Sequence, residues 1–128
     1  MDCPCCSGKA YEECCMPYHD AEVFAPTAEA LMRSRYAAFV VHDADYLFET
    51  TLPTRRKFHR KNEYLQWAEE NEWLGLEIVA TPAANIVEFK ATFKLKNGQV
   101  YIQHERSRFK QSGGKWYYAD GEDLSAQQ

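Results

Sequence analysis

The chain has 128 residues, a formal charge of −4, 45% hydrophobic and 14% aromatic residues, the proportions of one ordinary globular domain and not of a disordered or fibrous chain. Its acidic balance argues against a generic nucleic-acid binder, because such binding rests on neutralising phosphates, so no DNA partner is expected. No apolar run approaches the ~20 residues of a membrane helix, so no membrane partner is expected either.

The chain opens on Cys3-Pro4-Cys5 and, eight residues later, Cys14-Cys15. Two thiolates from a tight turn and two from the end of a short following segment close a tetrahedral S4 site, the arrangement that holds structural zinc. A disulfide framework is the competing reading. Neighbouring Cys14 and Cys15 are poor partners for each other, since a bridge needs Cα atoms about 4.4–6.8 Å apart. The start Met1-Asp2-Cys3 shows no export signal, so reduced thiols and a cytoplasmic location are expected. Cys6 makes the count odd. It leaves the ligand choice open between Cys5 and Cys6, with Cys5 favoured by spacing and Cys6 the spare thiol. Ser7-Gly8 supplies the turn, and Lys9 stands ready to offset the negative charge of four thiolates on one zinc. His19 is an alternative ligand or a surface histidine.

Residues 16–26 read as a linker carrying two prolines, Pro17 and Pro26. Thr27 is an N-cap, and Ala28, Leu31, Met32, Arg35, Tyr36, Phe39 and Val40 recur on one helical face, with an arginine inside the apolar stripe. Asp43 caps a short second helix through Tyr46, Leu47 and Phe48 that ends before Pro53. A third helix is predicted over Asn62–Trp73, ending at Gly75.

After Gly75 the period changes to two. Leu76, Ile78 and Ala80 mark a strand stopped at Pro82; Val87, Phe89, Ala91, Phe93 and Leu95 alternate with polar residues in the next. Asn97-Gly98 turns into a strand from Val100 to Phe109, and Ser112-Gly113-Gly114 turns into Trp116–Ala119. Helices followed by an antiparallel meander give an α+β architecture.

The third strand carries Tyr101, Gln103, Glu105, Ser107 and Phe109 on one side. If that side faces inward, Glu105 needs a partner, because an unpaired buried carboxylate costs several kcal/mol. Arg35 is the expected partner, with Tyr36, Ser107 and Trp116 beside them in a candidate pocket. No catalytic residue is assigned. His42 with Asp43 and Asp45 reads as capping and solvated charge, His59 lies in a basic run, and no nucleophile elbow, phosphate loop or HExxH zinc motif is present. A closed S4 zinc site activates no water.

The run Cys3-Pro4-Cys5-Cys6-Ser7-Gly8-Lys9-Ala10-Tyr11-Glu12-Glu13-Cys14-Cys15 resembles the SEC-C motif, the zinc-binding tail of the SecA export ATPase, which usually reads C-P-C-G-S-G-K-x-Y-x-x-C-[CH]. Cys6 stands where the motif has glycine. Together with Ala28–Tyr36, Thr51-Leu52-Pro53, Glu105–Phe109 and Trp116–Gly121, the chain resembles the YchJ-like family of small SEC-C proteins. A histidine commonly precedes the proline of the middle block in that family; this chain has Leu52, so no role of that histidine carries over. The resemblance implies a SEC-C motif over residues 1–20 and an NTF2-like domain over 21–128, a curved antiparallel sheet packed on helices. It also implies one zinc per chain and a protein partner such as an export chaperone or the ribosome. The basic run Arg55–Lys61 would then steer an acidic partner. Two other functions stay open: a small-molecule binder or enzyme using the NTF2-like pocket, and a thiol redox sensor through Cys6. Neither partner identity nor oligomeric state is read from the sequence.

Overall fold

The computed structural model describes residues 2–124. Four helices come first: α1 (Met16–His19), α2 (Ala28–Val41), α3 (Ala44–Glu49) and α4 (Lys61–Glu70), with 3-10 turns at Tyr11–Glu13 and Pro53–Phe58. Four strands follow, β1 (Glu72–Ala83), β2 (Ile86–Lys94), β3 (Val100–Ser112) and β4 (Lys115–Asp123), in one antiparallel sheet of order β1-β2-β3-β4. This is the α+β, NTF2-like architecture expected from the sequence.

The helix starts follow the local chemistry. Thr27 caps α2 by accepting from the Ala30 amide at 3.0 Å, and Asp43 caps α3 by accepting from Tyr46 at 3.1 Å. His42 ends α2 in the left-handed region at φ 62°, which lets α3 fold back at once. Gly98 takes φ 88° in the hairpin between β2 and β3, where the Asn97 side chain accepts from Gln99.

Three element boundaries differ from the sequence reading. The stretch 16–26 is not linker throughout, since α1 occupies Met16–His19 with Pro17 in its first turn, where a missing N–H costs nothing. The third helix stops at Glu70. Asn71 is already extended, and Trp73 belongs to β1, paired with Phe93. Its indole N–H still reaches back to Ala68 O at 3.2 Å, so one aromatic ring both ends the helix and starts the sheet. Strand β1 also continues through Pro82 to Ala83, which an edge strand tolerates because its outer N–H groups have no partner to lose.

Sheet curvature comes from register shifts along β1 and from one between Arg108 and Phe109 on β3. The concave face sends Val87, Phe89, Ala91 and Phe109 against Ala28, Leu31, Met32 and Tyr36 of α2, forming the main core. Helix α2 is buried beyond that stripe. Ser34, Ala37 and Ala38, on other sides, are each 0% exposed, Ala37 beneath the cysteine segment and Ala38 beneath α3 and Tyr64.

Candidate functional site

Residues 2–15 make a closed loop with little regular structure. Cys3 N donates to Lys9 O at 2.8 Å, Cys6 N donates to Cys3 O at 3.2 Å, and Gly8 turns the chain at φ 85°. The Tyr11–Glu13 turn then lifts Cys14 and Cys15 back to the loop. As a result the Sγ atoms of Cys3, Cys5, Cys14 and Cys15 all lie within 4.8 Å of one another. Cys5 and Cys14 are 3.6 Å apart, and Cys14 and Cys15 are 3.8 Å apart. A tetrahedral site with Zn–S bonds of about 2.3 Å has edges of about 3.8 Å, so the donor set is close to that of a tetrahedral thiolate-bound metal. Cys3, Cys5 and Cys15 are buried, and the more open Cys14 has the Ser7 hydroxyl 3.2 Å from its sulfur. Among the thiols themselves, Cys15 hydrogen-bonds Cys5 and holds its thiol far below the usual range, while that bond and burial push the Cys15 thiol up. Burial pushes the Cys3 thiol up as well, so the low value is confined to Cys5.

Cys6 points away from the cluster. It is exposed, its thiol meets Pro4 O at 3.5 Å, and its backbone sits at φ 66°. That conformation costs a residue with a Cβ about 1–2 kcal/mol, which gives the motif's usual glycine a physical reason.

Helix α2 carries the clip. Ala37 packs directly on the buried cysteines, and Arg33 donates to Cys5 O at 3.0 Å while pairing with Glu29. The side chain of His19 is placed between clip and body, not among the clustered thiols. Its Nε2 lies 2.8 Å from Ser34 O, a carbonyl that can only accept, so Nε2 carries the proton and Nδ1 accepts from the Tyr11 hydroxyl at 2.7 Å. Tyr46 meets the imidazole edge at a centroid distance of 4.8 Å. The histidine is thus a latch. His19→Ala removes both bonds and is expected to lower unfolding stability by about 1–3 kcal/mol, read by chemical denaturation of the metal-loaded protein; a change under a few tenths would show that the latch holds nothing.

The second feature is a cavity of about 140 Å³ between the concave sheet and the helices. Helix α2 contributes Arg35 and Tyr36, and β3 contributes Gln103, Glu105 and Ser107. Aromatic walls come from Phe39, Tyr64, Trp73, Phe89 and Tyr118, with His59 and the 41%-exposed Trp67 toward solvent. Arg35, Tyr36, Glu105 and Ser107 therefore share one cavity. Trp116 does not join them. It lines the space under residues 18–26, and its indole donates to Pro26 O at 3.3 Å.

Arg35 is not the partner of Glu105. Its guanidinium donates to Leu47 O (2.8 Å), Thr50 Oγ1 (2.7 Å) and Tyr64 OH (3.1 Å), and lies 4.7 Å from the centroid of the Tyr118 ring. It binds the C-terminal end of α3, where a cation meets the negative pole of the helix. Glu105 is held instead by Gln103 Nε2 at 3.0 Å and Ser107 Oγ at 2.5 Å. Gly121, cross-strand from Ser107, leaves the space that the Glu105 carboxylate fills; a Cβ there would collide with Oε2. His59 lies against Tyr64 and Tyr118, and burial, then Arg35, lowers its affinity for a proton.

The remaining charged motifs serve the fold. Arg55 pairs with Asp120, Arg56 donates to Thr51 O and Glu49 O, and Lys61 pairs with Asp45. Arg55, Lys57, Arg60 and Lys61 of the basic run nevertheless stay exposed. Asp43 is the α3 cap and His42 the α2 terminus, so they form no acid–base cluster. His104 sits on the convex face, 2.8 Å from Glu88, which also pairs with Arg106.

Comparison with known proteins agrees with this picture. Residues 27–121 match the family pattern described as the YchJ middle NTF2-like domain. A UPF0225 protein YchJ from Shigella dysenteriae is 44% identical over 124 residues, spanning 93% of this chain and 81% of that one. A UPF0225 protein of Streptomyces coelicolor is 43% identical over 95% of each chain. Among solved structures, the solution structure of a SEC-C motif containing protein from Rhodopseudomonas palustris superposes with a TM-score of 0.87 at 41% identity, covering 95% of this chain and 98% of that one. A crystal structure of a SEC-C motif containing protein from Psychrobacter arcticus gives 0.75 at 34% identity, covering 92% and 80%.

Proposed function

This chain belongs to the YchJ-like family of UPF0225 proteins, and from that premise we propose that it is a zinc-stabilised interaction protein of the cytoplasm whose SEC-C clip contacts a protein partner. Cys3, Cys5, Cys14 and Cys15 would hold one zinc per chain. With four thiolates the ion has no open position, so its contribution is structural: it fixes the shape of a loop that has few hydrogen bonds of its own. The observation that carries the reading is the two-sidedness of the clip. One face seats on Ala37, Arg33 and His19, while Cys6, Gly8 and Lys9 stay exposed. A metal-fixed loop bolted to a rigid helix offers a preorganised surface, which lowers the ordering cost of association.

The partner classes proposed are an export chaperone or the ribosome. Titration calorimetry of the zinc-loaded chain against purified samples of each tests them directly. Binding to one, lost in Cys14→Ser/Cys15→Ser and weakened by Lys9→Glu, is the expected result. Binding to neither, or binding that survives loss of the clip, contradicts it.

A second reading has its own observation. The cavity gathers aromatic walls around a carboxylate held by neutral donors, the composition of a small-molecule site: mostly apolar, with a few placed polar groups.

A further inference from the structure

We propose that the concave cavity binds a small ligand through an ammonium group seated on Glu105, with the ligand's apolar body among the aromatic walls. This inference rests on the second reading above and specifies its ligand chemistry.

The argument starts from the carboxylate. Among the described residues, the bonds onto Glu105 come from the Gln103 amide and the Ser107 hydroxyl, both neutral. Among the described residues, no cation is paired with it. The cation nearest in role, Arg35, donates to α3 and Tyr64 and lies over the Tyr118 ring. His59, the other basic group on the cavity, is held toward its neutral form by burial and by Arg35. Asp123 is the cross-strand neighbour of Glu105, so a second acidic residue stands on the same face. Gly121 gives the Glu105 carboxylate its place beside them. The sheet therefore orients a part-buried carboxylate among neutral donors and, among the described residues, gives it no cation.

The walls suit the same ligand. Trp73, Phe89 and Tyr118 present π surfaces, to which cations are attracted, strongly so when desolvated. Arg35 opposes a second cation, but its charge is spread over the α3 terminus and the rings of Tyr64 and Tyr118, while the ammonium would touch Glu105 directly. Size sets the rest. About 140 Å³ is close to the roughly 150 Å³ that takes up benzene, so the ligand has a body of ring size.

The test is an NMR titration of the full metal-loaded chain with three probes of equal shape: benzylamine, benzyl alcohol and benzoate. Benzylamine should bind at least tenfold more tightly than benzyl alcohol, with shifts at the Trp73 indole and the Gln103 and Ser107 signals. Benzoate should not bind there. Glu105→Gln should abolish the tenfold preference while benzyl alcohol still binds. Gly121→Ala should do the same by displacing the carboxylate, which covers the case in which Glu105→Gln fails to fold. Equal affinity for amine and alcohol overturns the ammonium inference and leaves the cavity reading standing. No probe shifting any cavity signal overturns both.

Discussion

Replacing Arg35 with methionine should lower the unfolding stability by about 3 kcal/mol, because it removes three hydrogen bonds from a charged donor, each worth about 1.5–3 kcal/mol before repacking. The side chain is 5% exposed, and its acceptors lie on two elements: Leu47 in α3 with Thr50 at its C-terminal cap, and Tyr64 in α4. Methionine keeps the bulk, so the loss reports the polar network rather than a cavity. Part of the network survives, since Thr51 Oγ1 still donates to Leu47 O and still meets Tyr64 OH. That is why the expected loss falls short of the full sum. Lysine should not rescue, because a single ammonium cannot reach three acceptors in a fork. Denaturant unfolding of the three proteins decides it. A loss below about 1 kcal/mol for Arg35→Met, or full rescue by lysine, would show that the guanidinium does not tie α2 to α3 and α4.

The second large effect concerns the clip. Chelation of the metal at neutral pH should cost residues 3–15 their structure while the sheet remains intact. Among the described residues, the clip has no core beyond the thiols, Ala37 and the partly buried Tyr11. Its backbone bonds are few: Cys3 to Lys9, Cys6 to Cys3, Glu13 to Ala10 and Cys14 to Tyr11. The main core instead joins α2 to the strands and includes none of the cysteines. Hydrogen exchange should therefore accelerate by more than about a hundredfold in residues 3–15, which is about 2.7 kcal/mol or more of local stability, with β2 and β3 little changed. Amides on the clip-facing side of α2, around Ser34 and Ala37, should lie between. Loss of protection throughout the sheet would contradict a clip that is seated on the body without being needed to fold it.

The elements differ in how far the sequence revealed them. The α2 stripe and the alternation of β2 and β3 were legible because large apolar residues mark the buried face at fixed periods. The buried flank of Ser34, Ala37 and Ala38 was not, since small residues read as neutral, and here their smallness lets the clip and α3 come close. Trp73 misled for a related reason. Its apolar side chain continues the helical face of α4, yet its packing on Phe39 and Phe93 draws it into the sheet. The cysteine cluster was legible from spacing alone. The role of His19 was not, because both of its ring partners, Tyr11 and Ser34, are fixed only by the tertiary fold. Arg35 and Glu105 were correctly brought to one cavity but not to each other; the acceptors that claim Arg35 come from α3 and α4, whose packing no local pattern announces.

The central claim is that four of the five cysteines form one closed metal site. Elemental analysis of the purified native chain, with free thiols titrated in parallel, tests it most directly. The account predicts one zinc per chain and one readily reacting thiol, lost in Cys6→Ser. A metal-free chain, with its cysteines bridged or all five reacting alike, would contradict it.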